Sequence, residues 1–355
     1  MRRARIAVIA GDGIGPEVLA AGLPIIEAAG RAEGLALDVE HLPYSADHYL
    51  KTGETLPDEA FAHLRDDVDA ILLGALGDPR VPGNEHARDI LLGLRFRLDL
   101  YINFRPSRLY HPRLSPLRAD RRADGGSTTI DFVIFRENTE GQYTGQGRAE
   151  AVGTPDEVQV SEEINSRKGV ARIIEAAFAW AQANGKTRVT MSDKSNAIGF
   201  QRIWGRLFQE IGERYPGIQR EHRYVDALAL ELVREPERFQ VIVTTNLYGD
   251  ILSDLGAGLI GGLGIAASAN LHPGRPGLFE PVHGSAPPLV GKGVANPMAT
   301  VLTGALMLGQ LGCPAGAARL ERAVERVAAS GPLTPDLGGT GTTRDVAQAL
   351  LDAAR

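Results

Sequence analysis

The chain reads as an α/β protein with a largely parallel sheet. Short β-branched and aliphatic runs, among them Arg5-Ile-Ala-Val-Ile-Ala10, Ala70-Ile-Leu-Leu-Gly-Ala75 and Val241-Ile-Val-Thr-Thr245, have the length and composition of buried strands. Helical patterns alternate with these runs, the arrangement that generates parallel pairing and places binding sites at strand C-termini. The length of 355 residues leaves room for two domains or one large α/β unit.

Taken in order, the first strand, Arg5–Ala10, runs into Gly11-Asp-Gly-Ile-Gly-Pro16. Pro16 and Glu17 suit the first turn of a helix, where no backbone N–H is needed and negative charge is favoured. The glycines follow G-x-G-x-G, with Pro16 after the third, so the G-x-G-x-x-G dinucleotide fingerprint is absent and a tight strand-to-helix turn is expected instead. Leu35–Leu42 reads as a second strand, Pro57–Arg65 as a helix with Thr55 as a cap, and Ala70–Ala75 as a third strand. His86–Leu98 reads as a helix and precedes Asn103-Phe-Arg105-Pro106. Between Arg113 and Ser127 the Pro-, Arg- and Gly-rich text predicts an exposed loop. Strands are expected over Thr128–Arg136, Val158–Asn165, Thr187–Ser192 and Gln219–Tyr224, the last ending at Val225-Asp226. Helices are expected over Ser166–Ala183 and up to about Arg214. Phe279–Pro288 and Gly291–Pro297 read as loops, and two or three helices close the chain.

Composition excludes several classes. A net charge of −6 disfavours nucleic acid and anionic membranes as partners. The apolar run Ile6–Ala10 is too short for a signal-peptide core, and no stretch is long enough for a membrane helix. A single cysteine, Cys313, allows no internal disulfide and fits a reducing compartment, so a cytoplasmic location is expected.

Charged residues gather at predicted strand ends. Arg95, Arg105 and Arg136 could clamp carboxylates in bidentate fashion, although a single arginine is as readily a surface ion pair. Tyr143 lies in a glycine-flanked loop, and Lys194 directly follows a strand. If a helix starts near Tyr248, Asp250 and Asp254 stand at i and i+4 on one face. Two like charges so placed suit a shared divalent cation, or simply an acidic first turn favoured by the helix dipole. Asp226 adds a third carboxylate and strengthens the case for Mg²⁺ or Mn²⁺.

Seven segments in order carry a resemblance. They are Gly11-Asp-Gly-Ile-Gly-Pro-Glu17; Arg95 with Asn103-Phe-Arg105-Pro106; Arg136-Glu-Asn-Thr-Glu-Gly-Gln-Tyr143; Asp193-Lys194-Ser-Asn; Tyr224-Val-Asp226; Asn246-Leu-Tyr-Gly-Asp250-Ile-Leu-Ser-Asp254; and Phe279-Glu-Pro-Val-His-Gly-Ser-Ala286 with Ala295-Asn296-Pro297. Together they resemble the β-decarboxylating dehydrogenases, which act on isopropylmalate, isocitrate, homoisocitrate, tartrate or D-malate.

That resemblance implies the family's two-domain α/β fold, which is not a Rossmann fold. It divides the chain into residues 1–104 plus 257–355, a larger cofactor-binding domain, and residues 105–256, a second domain with a dimer-clasping arm near 145–165. It implies oxidation of a (2R)-hydroxy acid followed by loss of the β-carboxylate, in a homodimer whose sites take the lysine and one aspartate from the second subunit. By the same resemblance Arg95, Arg105 and Arg136 hold substrate carboxylates. Asp226, Asp250 and Asp254 bind Mg²⁺ or Mn²⁺, Asp226 also facing substrate, while Lys194 takes the hydroxyl proton and Tyr143 helps protonate the enol carbon. Glu280, His283, Gly284, Ser285, Ala286 and Asn296 fall on cofactor-loop positions.

Leu91 and Leu92, on the helix before Arg95, offer an apolar lining where isocitrate and homoisocitrate enzymes tend to place polar groups. That favours the alkyl group of 3-isopropylmalate, and with it leucine biosynthesis. Tartrate and D-malate enzymes, also apolar there, are the alternative, and a specialised biosynthetic homologue is a further one. Arg88 stands where many isopropylmalate enzymes carry an acid. Pro288 replaces an aspartate usual in NAD-using members, yet Pro288-Leu289 is not the Lys-Tyr pair of NADP-using isocitrate enzymes. NAD is expected, with NADP still open. A non-catalytic regulatory subunit would lack Tyr143, Lys194 or a metal aspartate, and all are present.

Overall fold

The computed structural model describes residues 1–117 and 129–355. Most of the loop expected between Arg113 and Ser127, and Thr128 at the start of the following strand, lie outside the described residues.

Ten strands form one sheet in the order β2-β1-β3-β12-β11-β4-β5-β10-β8-β9. Its first wing holds β1 (Arg2–Gly11), β2 (Leu35–Leu42), β3 (Ala70–Ala75) and β12 (Gly277–Pro281), all parallel. The second wing holds β5 (Asp131–Glu137), β8 (Arg188–Asp193), β9 (Gln219–Tyr224) and β10 (Val241–Thr244), again parallel. Between the wings, β4 (Ile102–Arg108) and β11 (Ala267–Leu271) pair antiparallel with each other and with their outer neighbours. The antiparallel centre marks where the chain passes from one wing to the other along β4 and returns along β11. An α/β fold with parallel wings is therefore present, and the continuous parallel sheet of a Rossmann fold is not. A separate hairpin, β6 (Gly147–Glu150) with β7 (Val158–Ser161), stands in exposed positions away from the sheet.

Helices cover both faces. Over the first wing, α1 (Gly15–Ala32), α9 (Met298–Gln310), α10 (Pro314–Ser330) and α11 (Thr343–Ala354) pack on one side around Ile6, Val8 and Leu72. On the other side, α3 (Asp58–Asp66) and α4 (Glu85–Arg97) cover Ala7, Ile9, Ile71 and Leu73. A short α2 (Ala46–Thr52), capped by the Ser45 side chain, precedes α3. Alternation along β1 and β3 supplies both faces, as expected of strands buried on two sides. In the second wing α5 (Arg167–Ala183) and α6 (Arg202–Gly212) close over Val133, Phe135, Val189 and Val243. Here Trp204 is buried and donates its indole N–H to Asn165 at 2.7 Å, satisfying the one polar atom that its burial would otherwise leave unpaired. Across the sheet from α5 and α6, α7 (Val225–Arg234) and α8 (Asn246–Ile260) meet Phe132, Ile134 and Ile242.

Several expectations need correction. Thr55 does not cap α3: Pro57 occupies the cap position, and the Thr55 hydroxyl donates to Asp89 at 3.4 Å. The strand expected over Val158–Asn165 ends at Ser161, where the β6 ladder ends at Gly147, and beyond it Ile164 makes only an isolated bridge with Gly141. Asp226 follows the end of β9 by two residues, already in the first turn of α7. The loop expected from Phe279 begins inside β12, where Leu278 and Phe279 pair with β3.

The glycine-rich turn after β1 is structural. Gly13 has φ 59°, and a Cβ there would lie 2.0 Å from the Ser285 carbonyl oxygen. That same oxygen accepts the Ile14 N–H at 2.9 Å. Glu17, in the first turn of α1, accepts the Ala295 N–H at 3.2 Å and the Thr343 hydroxyl. The turn thus buttresses the segments around 285 and 295. Gly13→Ala would add positive-φ strain of about 1–3 kcal/mol and force these backbones apart. A drop of several degrees in the thermal midpoint by circular dichroism is expected; an unchanged midpoint would refute the buttress.

Candidate active site

β4 and β5 are neighbours, and their alternation sends Arg105 and Arg136 to the face covered by α8. Arg136 is almost wholly buried there. Its Nε and Nη2 donate to Asn246 Oδ1 at 3.0 and 2.8 Å, and its Nη1 donates to Asp250. Helix α8 approaches this closely because residue 249 is glycine: a Cβ there would lie 2.5 Å from Arg136 Cβ. Arg105 donates to the Ser253 hydroxyl at 2.7 Å and reaches Asp254 at 3.4 Å and Asp250 at 3.7 Å. Arg95, from the last turn of α4, pairs with Glu280 of β12 at 2.7 Å. Asn270 donates to the same Glu280 oxygen at 3.0 Å. Glu280, expected on the cofactor side, is therefore engaged in holding a guanidinium.

These residues converge on one cavity of about 350 Å³. Arg95, Arg105, Arg136, Tyr143, Asp250 and Glu280 supply its polar lining; Leu91, Leu92, His283 and Gly284 also line it. Arg88 joins them, as do Ser268 and the residues from Gly74 to Leu76 at the end of β3, contributors that motif reading did not single out apart from Arg88. Helical spacing from Arg88 through Leu91 and Leu92 to Arg95 could have shown that all four share one face.

Burial first, and then the fields of Arg105 and Arg95, push the Arg136 guanidinium down to about 9. Burial likewise lowers Arg105. Three crowded guanidiniums favour an anionic ligand. The Nε atoms of Arg95 and Arg105 are buried without an acceptor among the described residues, as donors awaiting a ligand oxygen would be. For Asp250, burial works against the charge, but Arg136 and Arg105 outweigh it and hold the carboxyl below its ordinary value. Asp254 meets only part of that compensation, and burial leaves its carboxyl raised. Burial and the nearby Asp250 push the Tyr143 phenol up, so it stays protonated and donates to Asp250 Oδ2 at 2.9 Å.

Lys194 and Asp226 lie elsewhere. Lys194 Nζ is 2.6 Å from Asp226 Oδ1, and neither lines the cavity. The Lys194 backbone N–H is fixed by Gln201 at 2.7 Å, and the preceding Asp193 is held by His222 at 2.8 Å. Within one chain the three aspartates do not assemble: among the described residues no group of three or more His, Cys, Asp or Glu side chains could hold a metal ion. Asp250 and Asp254 share one helix face as their spacing requires, while Asp226 is drawn to Lys194.

On the cofactor side, burial lowers the His283 pKa, so the imidazole is neutral near pH 7; its Nε2 is buried without a partner among the described residues. Ala286 packs with Ile14, Val18 and Ala295, and Ser285 meets the β1 turn. Asn296 donates to Asp336 at 3.1 Å and accepts the Met298 N–H at 3.0 Å, a structural engagement at the start of α9.

Because the folded pKa of Asp250 lies below its unfolded value, its stabilising contribution is full above the unfolded pKa, about 3.9, and is lost as pH falls through the folded value. Asp250→Asn should melt a few degrees below the parent at pH 7, and the gap should narrow toward pH 3. A gap that is constant across this range would show that the arginine field is not what Asp250 answers.

The family model described as isocitrate/isopropylmalate dehydrogenase matches residues 5–350. The 3-isopropylmalate dehydrogenase of Beutenbergia cavernae is 46% identical over 323 residues, covering 90% of this chain and 91% of that protein. That of Thermobifida fusca is 44% identical over 326 residues, covering 91% and 90%. The crystal structure of isocitrate dehydrogenase from Methylococcus capsulatus superposes with a TM-score of 0.88 at 37% identity, covering both chains fully. With its ordered motifs, its split sheet and its arginine-lined cleft, the chain belongs to the isocitrate/isopropylmalate dehydrogenase family.

Proposed function

We propose that the cleft oxidises and decarboxylates 3-isopropylmalate, using NAD and Mg²⁺ or Mn²⁺. The observation that carries the choice of substrate is the lining of the 350 Å³ cavity: three guanidiniums for two carboxylates, and Leu91 and Leu92 for a branched alkyl group. Relatives named 3-isopropylmalate dehydrogenase support it.

The residues present fit both cofactors. The unpartnered Nε2 of neutral His283 offers a hydrogen-bonding edge to a nucleotide base. Asp250 and Asp254 present oxygen donors of the hard type that Mg²⁺ and Mn²⁺ prefer, with side chains 39% and 57% exposed. When bound, the nicotinamide would supply a hydride acceptor for C2, and a divalent cation held by Asp250 and Asp254 would draw charge from the hydroxyl and its neighbouring carboxylate. The protein's own part begins with Arg95, Arg105 and Arg136 fixing the two carboxylates. Lys194 takes the hydroxyl proton as C2 becomes a ketone. The β-carboxylate then leaves as CO₂, and the protonated phenol of Tyr143 is placed to help deliver a proton to C3.

Lys194 and Asp226 enter that cleft from a second copy of the chain in this reading. Each subunit then divides into residues 1–104 with 257–355 and residues 105–256, the β6–β7 hairpin serving as the clasp. Exposed apolar side chains support a homodimer: Leu230 and Val233 on α7 and Ile251 on adjacent α8. Among the described residues no helix is long and apolar enough to cross a membrane.

Arg88, on the same cavity wall and free of any ion pair among the described residues, favours one second reading, a more polar hydroxy acid such as tartrate. Pro288 supplies no carboxylate to a ribose, so both dinucleotides belong in the assay. Absorbance at 340 nm should rise with 3-isopropylmalate, NAD and Mn²⁺, and much less with D-malate, tartrate or isocitrate. Leu92→Ser should lower kcat/KM for isopropylmalate about tenfold or more. A preference for tartrate would reverse the assignment.

Shared sites give a separate test. Lys194→Met and Asp250→Asn homodimers should each be inactive. Co-refolding them in equal amounts should restore about a quarter of parental activity, since half of the dimers would be mixed and each would carry one intact site. No recovery would mean that Lys194 and Asp250 serve the same protomer's site.

A further inference from the structure

The strand alternation that sends Arg105 and Arg136 into the cleft sends Phe104 and Phe135 to the reverse face of the sheet, where they stand directly opposite each other. Their rings meet edge to face at 5.4 Å, and Trp180 of α5 touches both at 5.5 and 5.9 Å. This aromatic trio forms the floor and one wall of a cavity of about 760 Å³, larger than the 350 Å³ cleft cavity. Helix α5 borders it on one side, and α9 and α10 border it on the other. A further pocket of about 240 Å³ adjoins it, sharing Phe104, Trp180, Leu306 and Glu321.

The cavity exists because the residues facing it are small. Ala176 and Ala179 of α5, Ala269 of β11, Ala305 and Gly309 of α9 and Ala317 of α10 all line it, where larger side chains would have closed the gap. Its charged lining is already neutralised. Arg172 pairs with Asp99 at 2.9 Å, Glu321 with Arg108 at 2.9 Å, and Glu175 with Arg214. Two N–H donors on lining residues find no acceptor among the described residues: Nε1 of Trp180, and Nε of Arg172, which is buried.

We infer that the reverse face carries a second binding site, for a neutral, largely aromatic small molecule bearing one carbonyl-type acceptor. The volume lies in the range of drug-sized ligand sites. Paired charges give no reward to an ionic ligand, whereas the ring trio rewards a flat apolar body and the free indole N–H of Trp180 rewards one acceptor. The site stands independently of the substrate reading. It also lies back to back with the cleft, because β4 and β5 present their arginines on one face and their phenylalanines on the other.

The chain has two tryptophans, one in this site and one on the buried face of α6, so the intact protein carries its own reporter and its own control. Protein labelled with 5-fluorotryptophan would be titrated with 2-acetylnaphthalene and followed by ¹⁹F NMR. A saturable shift of the Trp180 resonance at one probe per subunit, with Trp204 unmoved, is expected. Ala305→Phe should fill the cavity and weaken probe binding at least tenfold while the Trp204 resonance keeps its native position. If that variant does not fold, Gly309→Leu tests the same space from the next turn of α9. Absence of a saturable Trp180 shift, equal shifts at both tryptophans, or undiminished binding in a folded cavity-filling variant would each overturn the site.

Discussion

The buried guanidinium of Arg136 constrains the whole cleft. A cation removed from water must be met by acceptors, and the chain meets it with Asn246 and Asp250 from the first turns of α8. That requirement fixes how α8 lies against β5, and Gly249 is the residue that lets it come so close. Once α8 is placed, Asp250 and Asp254 face the cleft beside Arg105. The same helix therefore positions both the acids and, through them, the guanidiniums.

Charge balance in the cleft is deliberately incomplete. Glu280 neutralises Arg95, and Asp250 answers Arg136, but donor atoms of Arg95 and Arg105 stay unpaired and burial lowers two of the guanidiniums. A site left electropositive at some cost to its own stability is suited to an anion that restores the balance on binding. The apolar wall of Leu91 and Leu92 then decides what else the anion carries.

The sheet's centre explains why the protein has two faces of interest. β4 and β11 cross between the parallel wings, and the helices flanking them leave a space on each side. One side became the arginine cleft, and the other kept a space bounded by alanines and aromatic rings. Period-two alternation couples them, since a residue displaced on one face moves its neighbours on the other.

The sequence by itself determined the elements and the chemistry they carry. β2, β3 and β9 fall at the expected bounds, because glycines and prolines punctuate the chain beside them: Gly34 and Pro43 around β2, Gly77 after β3, and Pro216-Gly217 before β9. The i, i+4 pair Asp250 and Asp254 and the ordered family motifs were legible for the same reason: they are local or nearly so. What only the tertiary structure decided depends on contacts distant in the chain. Glu280 meets Arg95 across 185 residues, Asn246 meets Arg136 across 110, and Gly13 meets Ser285 through their backbones. Likewise, Asp226 is drawn to Lys194 instead of joining the other aspartates, because a carboxylate takes whichever cation the fold brings within reach. The reverse-face cavity was equally invisible, since small residues that look like ordinary helix and strand fillers leave a void only when several elements bring them together.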